Sequence, residues 1–322
     1  MKHTNFKRDY IDNMVHNKKV LFITTKNIDY IRNSQEIDLL KKSAAEVRVI
    51  GYRDKGYISR LIKIYAQLFT ISLKGYEVIF VGFAPQLILP FFNFRFKKKI
   101  VIEDFFISMY DTMINDRKKF KQNSILAKIL LYLDKITLKK AHEIVVDTCA
   151  HGNYFVKELG ADKNKINIIY LTADSAIYYP RVTQKPKELS NKFLVLYFGS
   201  ILPLQGINTI LECAEKMKNI SSIVFEIIGP ISKEDMEEYK LCENLIFIPW
   251  LSQEDLAEKI AEADLCLAGH FNSTIDKAAR TIPGKAYIYN SMKKPMILGD
   301  NSANRELFKE DNINNYYVEM GN

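Results

Sequence analysis

The sequence is poor in the residue patterns that would fix a function at once. Four cysteines, Cys149, Cys213, Cys242 and Cys266, lie far apart with no CxxC pair. That argues against a disulfide scaffold or a zinc framework and predicts buried thiols in a reducing, cytoplasmic setting. No apolar, uncharged run of about 20 residues is present, so no spanning helix is expected. The nearest stretch, Tyr76 to Phe94, carries Glu77, Gln86 and Asn93, and Pro85 and Pro90 would break a helix there. Met1 to Lys19 is polar and charged, without the apolar centre of a secretory leader. There is no GxGxxG, which counts against a nicotinamide dinucleotide site. His142 and His151 flank one predicted strand and His270 follows another, none with the spacing of a metal site. His270 reads as a loop histidine, with contact to a donor as the rival reading. No helix-turn-helix or zinc pattern accompanies the basic residues, so nucleic acid is not an expected partner.

What the chain does contain is enough apolar residue, 48% of 322, for two ordinary α/β cores. Its charge is unevenly divided. Residues 1–180 hold 30 Lys and Arg against 18 Asp and Glu, a net +12, and residues 181–322 hold 16 against 20, a net −4. Arg95, Lys97, Lys98 and Lys99, and then Arg117, Lys118, Lys119 and Lys121, make the first half basic. This is either a solvated lysine-rich surface or a face that meets anionic lipid or a phosphate-bearing acceptor.

Short apolar runs alternate with amphipathic stretches, the pattern of βαβ units and a mostly parallel sheet. Val20–Thr25, Val47–Gly51, Val78–Val81, Ile100–Ile102, Ile144–Val146 and Ile166–Tyr170 read as strands of a first sheet. Glu36–Lys42, Ile58–Leu73 and Ile125–Lys140 read as helices. Tyr179–Lys192, with Pro180 and Pro186, interrupts the pattern. The predicted organisation is therefore a first domain at 1–180, a linker at 181–192 and a second domain at 193–322. The second series runs through strands Phe193–Phe198, Val224–Ile228, Leu245–Ile248, Leu265–Leu267 and Pro295–Leu298. Its helices are Ile207–Met217, Glu254–Ala263 and Lys285–Met292. The stretch Tyr316–Asn322 ends this series one helix earlier than is usual for a Rossmann-like domain, which suits a compact variant or a truncated product.

Three segments suit chemistry. Tyr197-Phe198-Gly199-Ser200 through Gln205-Gly206 is a strand, a glycine turn and a helix, where backbone N–H groups approach a phosphate and the helix dipole favours negative charge. Packing alone also explains such a turn. Lys277, Arg280 and Lys285 place three cations within nine residues, just before a predicted helix marked by Pro283-Gly284. A diphosphate clamp competes here with a solvated surface. Asp300-Asn301-Ser302 and Asn304-Arg305-Glu306 follow a strand, where Asp300 or Glu306 could accept from ribose or sugar hydroxyls and simple capping is the rival reading. In the first domain, Asn27 and Arg32 follow the first strand, at the strand end where α/β proteins bind ligands. The loop after the fourth strand is expected to carry Glu103, Asp104 and Asp111, acids that assist an acceptor hydroxyl or balance nearby lysines.

In this order the segments resemble the retaining GT-B glycosyltransferases, specifically glycosyltransferase family 4, from Lys19 onward. Phe198-Gly199-Ser200 through Gln205–Glu212 is similar to the turn and helix that open the family's donor domain. Asn244–Trp250 resembles its base-binding strand. Ile282–Tyr289, then Lys294-Pro295-Met296-Ile297, resembles its helix beside the donor and the strand that follows. Asn304-Arg305-Glu306-Leu307 resembles the segment that closes it. Asp104 through Tyr110-Asp111-Thr112, with Val146-Asp147-Thr148, His151 and Tyr154-Phe155, resembles a subset of bacterial members. The sequence departs from the family at several positions. Ser200–Leu204 has no Arg, Gln205 replaces a Lys, and the family's glutamate pair falls on Arg280 and Ile288. Asp104 stands where the first domain's active-site histidine is usual.

The resemblance implies an α/β fold of GT-B type, two Rossmann-like domains with mostly parallel sheets facing across a cleft. It implies hexosyltransferase-type transfer from a nucleotide diphosphate sugar to a hydroxyl acceptor with retention, in surface polysaccharide or glycolipid assembly, without a metal or other cofactor. The expected donor-binding residues are Gly199, Ser200, Gln205, Trp250, Lys277, Arg280, Lys285, Asn304, Arg305 and Glu306. Asp104 and Lys285 are the expected catalytic residues, and Asn27, Arg32 and Asp111 the acceptor-side ones. The acceptor would be a glycan or lipid-linked, with the protein resting on the inner face of an anionic membrane. The lost glutamates keep an alternative open: a catalytically silent GT-B subunit that binds sugar or a partner protein.

Overall fold

The structure, a computed structural model, describes residues 10–321. Residues 1–9 of the polar N-terminal segment, and Asn322, lie outside the described residues. The chain divides into two compact units, residues 1–171 and 172–322. The stretch 181–192 belongs with the second unit.

In the first unit the strands are β1 (Lys19–Ile23), β2 (Glu46–Ile50), β3 (Val78–Val81), β4 (Ile100–Asp104), β5 (Glu143–Val146) and β6 (Ile166–Ile168). They form one parallel sheet in the order β2-β1-β3-β4-β5-β6. Helices cover both faces, so the central strands read as apolar runs rather than alternating ones. Val20, Phe22, Val78, Phe80 and Ile102 pack towards Ile11, Val15, Ile37 and Leu40 on one face. Leu21, Ile23, Ile79, Val81 and Val101 pack towards Ile64, Leu68, Phe92 and Phe96 on the other. This is the two-residue period of a strand buried on both sides.

The second unit has β7 (Phe193–Phe198), β8 (Ile223–Ile228), β9 (Leu245–Ile248), β10 (Leu265–Gly269), β11 (Met296–Gly299) and β12 (Asn315–Val318). The order is β12-β11-β10-β7-β8-β9, all parallel. That is the doubly wound order of the Rossmann fold, whose ligand crevice lies outside the carboxyl ends of the two strands where the winding reverses. Those strands are β7 and β10.

Several expectations are corrected. Pro90 does not prevent a helix: Leu89–Phe96 is helical with proline in its first turn, where the missing N–H has no partner to lose. Glu103 and Asp104 are not on a loop but end β4, fully buried. Helix Lys233–Glu238 and strand β12 were not read from the sequence. Cys242 and Cys266 are buried thiols as expected, but Cys149 is half-buried and Cys213 lies exposed.

Candidate functional site

At the carboxyl end of β7, Gly199 adopts φ +146°, a region open to glycine but not to residues with a Cβ. A Cβ there would lie 3.2 Å from Lys285 Nζ. Gly229, just after β8, has φ +151°, and a Cβ on it would fall 2.4 Å from the Gly199 carbonyl oxygen. Two backbones meet here at a distance only glycine allows. Gly206, at φ +71°, caps helix Ile207–Lys216 and packs on the backbone of Phe271 and Asn272 in the loop after β10. The strand ends at the reversal point are thus locked together.

Lys285 points into this junction from helix Gly284–Ser291. Pro283 is the N-cap, and no side chain caps the helix, so its first amides remain available to an anion. Although only 6% exposed, Lys285 pairs with no carboxylate among the described residues. Its Nζ donates to Gln205 Oε1 at 2.7 Å and sits 3.8 Å from the centre of the Tyr197 ring. Burial holds the amine well below the ordinary lysine range, because nothing nearby rewards its charge. His270, which follows β10, is buried too. Burial first, then the positive Lys285 and Lys277, push it down to about 3, so the imidazole is neutral at ordinary pH. A buried cation without an anion, beside an uncapped helix start, suits a diphosphate.

The structure brings Gly199, Gln205 and Lys285 into contact, with Lys277 near enough to act on His270. Lys277 opens onto a short turn, Asp276–Ala279, and it and Arg280 are half-buried. Ser200 is exposed beside Gly199. The later segment supports this turn from behind: Asn301 donates to the Ala278 carbonyl and Ser302 to that of Ala279. Asn304 is wholly buried, its side chain donating to the Gly299 carbonyl at 2.8 Å. That bond holds the side chain against the end of β11. Arg305 is committed to Asp300 and Glu310 and lies over Tyr317. Glu306 is half-buried in the short helix Asn304–Leu307. Trp250 follows the edge strand β9, two strands from β7, and is 60% exposed. Sequence reading missed Tyr197 and Gly229, which show themselves only once the strand ends are placed side by side. An apolar cavity of about 300 Å³ beside helix Ile207–Lys216 is lined by Val195, Phe225, Leu267 and their neighbours, with no charged side chain in its lining.

In the first unit the acceptor-side expectation changes character. Arg32 and Asp104 do come together, but as a fully buried ion pair, Nη2 to Oδ1 2.9 Å and Nε to Oδ2 3.2 Å. Glu36 adds a second carboxyl 3.3 Å from Arg32. Burial, then the Asp104 charge, pushes Glu36 well above the usual carboxylate range. Arg32 also donates to the Ile169 carbonyl. Asp104 therefore anchors Arg32 and is not presented as a base. Asn27 forms a tight turn, accepting from the Asp29 N–H at 2.9 Å. Asp111 starts the wide helical turn Asp111–Asp116 and accepts from Asn115 and Tyr154. Behind them a pair absent from the expected site residues stands out, His151 Nδ1 to Asp147 Oδ1 at 2.7 Å. Burial works to raise Asp147, but His151 and Arg32 outweigh it and hold the carboxylate below its usual range. Both residues belong to a segment that carries the family resemblance, and their i,i+4 spacing is what allows the contact.

No protein-family model matches the chain, and no curated protein matches it. Solved structures do. Sucrose-phosphate synthase from Thermosynechococcus elongatus superposes with a TM-score of 0.65 at 12% identity, over 95% of this chain and 86% of the other. A glycosyltransferase from Rickettsia africae gives 0.63 at 13%, over 95% and 85%. The lipopolysaccharide outer core galactosyltransferase WaaB, in its apo form, gives 0.53 at 14%, over 94% and 86%. The fold is that of the GT-B glycosyltransferases. At these identities the likeness is one of fold, and the two six-stranded parallel sheets of the GT-B architecture are both present.

Proposed function

We propose that the chain transfers a sugar from a nucleotide diphosphate sugar to a hydroxyl acceptor, with the donor held on the second unit. The observation that carries this is Lys285, a buried lysine with no carboxylate partner, aimed at the Gly199 turn from an uncapped helix start. Such a position costs stability unless an anion occupies it. In this reading the diphosphate lies against the Gly199-Ser200 backbone and the amides at Gly284, with Lys285 and Lys277 pairing its oxygens. The bond from the anomeric carbon to the diphosphate oxygen breaks and the acceptor oxygen bonds to that carbon on the same face. The leaving phosphate takes the acceptor proton. The developing negative charge is met by preorganised protein groups rather than by a metal ion.

Arg280 and Ile288 stand where the resembled family has carboxylates, so the sugar hydroxyls would be read by other groups. Asp300 and Glu306 are the candidates offered by the sequence, and Asp300 is engaged by Arg305. Two observations support an acceptor class: the basic first half, and a structural neighbour that is a galactosyltransferase named for the lipopolysaccharide outer core. Both favour a glycan or a lipid-linked acceptor in glycolipid or surface polysaccharide assembly. A thermal-shift panel of nucleotide diphosphate sugars tests the donor: one that stabilises the protein more than its free nucleotide identifies it. No stabilisation by any of them would defeat the reading.

A further inference from the structure

Three helices of the first unit, Tyr57–Thr70, Leu89–Phe96 and Ile125–Lys140, follow β2, β3 and β4 in turn. They cover the same face of the sheet. Leu68, Phe92 and Phe96 pack on Ile79, Val81 and Val101. Leu138 packs on Ile144, whose register partner Glu103 pairs in turn with Val81. The helices also touch one another: the Tyr65 ring meets Phe92 at 4.9 Å, and Leu89–Phe96 packs beside Ile125–Lys140. Their outward sides form one surface, and that surface is apolar. Ile58, Ile62 and Phe69 make a stripe along the first helix, Phe94 stands on the second, and Ile129 and Tyr132 on the third. All six are between 48% and 73% exposed. Scattered exposed apolar residues are ordinary, but a contiguous stripe across three helices marks a contact surface.

Its charge is as one-sided as its polarity. Lys128 and Lys135 are exposed on the third helix and Lys97 and Lys98 just past the end of the second, and none of the four forms an ion pair among the described residues; Lys63, on the first helix, pairs with Asp54 before it. The three helices contain a single acid, Asp134. It is buried and turned inward, accepting from Ser108, Gln86 and two backbone amides.

We propose that this three-helix face lies on an anionic lipid surface, its aromatic and branched side chains entering the headgroup region and its lysines meeting lipid phosphates. Apolar anchors with an excess of cations around them, and no exposed acid within the three helices, are what such an interface requires. A second copy of the chain fits poorly, because a two-fold contact would set lysine against lysine. No helix among the described residues is long and apolar enough to cross a membrane, so the contact is one of lying on the surface. The first turns of these helices stand at the carboxyl edge of the sheet, where Tyr57 donates to Thr25. If glycosyl transfer holds, that edge would be presented to a lipid-linked acceptor, and this last clause alone rests on the proposed function.

The test is flotation of the full chain with vesicles, without donor or acceptor. Vesicles of phosphatidylcholine alone are compared with vesicles in which about a third is phosphatidylglycerol. The expected result is strong flotation with the anionic vesicles only, weakened by added salt. The variant I62S/F94S/Y132S should float at least tenfold less with an unchanged melting temperature, and K98E/K128E/K135E should lose the anionic preference. Equal flotation of the first variant, or no flotation of the parent, overturns the proposal. A parent dimer in sedimentation equilibrium that the first variant abolishes would assign the face to a second copy and also overturn it. Nucleotide-sugar binding, measured on the same preparations, reports on the donor site separately.

Discussion

The Lys285 amine lies 3.8 Å from the centre of the Tyr197 ring, and among the described residues its one side-chain hydrogen bond goes to the neutral Gln205 amide oxygen at 2.7 Å. The ring and the amide orient the amine without neutralising it. A site so built is prepared for a charge that arrives from outside.

The first prediction follows from that imbalance. Lys285→Met should lower sugar transfer about 100- to 1000-fold, the usual effect of removing one preorganised charge-stabilising donor. Stability should hold or rise, since an uncompensated buried amine is replaced by an apolar chain of similar volume. Turnover and thermal unfolding of the same preparation check both halves.

The second concerns pH. Lys285 is held below its unfolded value, so between the two the unfolded chain carries the extra proton and stability rises with pH. A bound diphosphate reverses the preference and draws the proton on. Donor affinity should therefore fall as pH rises, with proton uptake visible by calorimetry in buffers of different ionisation heat. The diphosphate of a nucleotide sugar does not itself titrate near neutrality, so the Lys285→Met variant should lose most of the dependence.

The buried group around Arg32 yields a third, asymmetric prediction. Arg32→Met leaves Asp104 buried without a cation and should cost about 3–5 kcal/mol. Asp104→Asn should cost less than half as much, because Glu36, relieved of its charged neighbour, can ionise and pair with Arg32 across 3.3 Å. Denaturant unfolding of the two variants compares them directly. Equal losses would mean that Glu36 does not take over.

Gly229 carries the fourth. Alanine there would bring Cβ to 2.4 Å from the Gly199 oxygen at a φ of +151°, so the backbone must move. A loss of about 1–3 kcal/mol is expected, together with weaker donor binding, since the Gly199 turn shifts with it. Calorimetric melting and donor titration read the two effects.

Much of the fold was legible because buried parallel strands are short apolar runs. Val78–Val81, Phe193–Phe198 and Leu245–Ile248 were read to the residue, as was helix Ile125–Lys140. Polar strand ends were not. Glu103 and Asp104 read as a loop because they are polar, yet Asp104 is matched by Arg32, 72 residues away in the chain, and no local pattern reports such a partner. Helix Leu89–Phe96 was hidden by Pro90, whose meaning depends on whether it falls in a first turn or an interior one. At the candidate site, Gly199, Gln205, Lys277 and Lys285 stood out by type and spacing. Tyr197 did not, because a tyrosine in a strand looks like core until the lysine above it is placed. Arg305 and Asn304 were visible as polar residues at a helix start, but their duties are to Asp300 and Gly299.

The most direct test of the central claim is equilibrium binding of a panel of nucleotide diphosphate sugars to the parent chain and to Lys285→Met. The account predicts that at least one donor binds the parent and that the variant binds it at least 100-fold more weakly, as expected for a lost charge-assisted contact in a buried site. If no donor binds the parent, or if the variant binds as tightly, the second-unit crevice is not a nucleotide-sugar site.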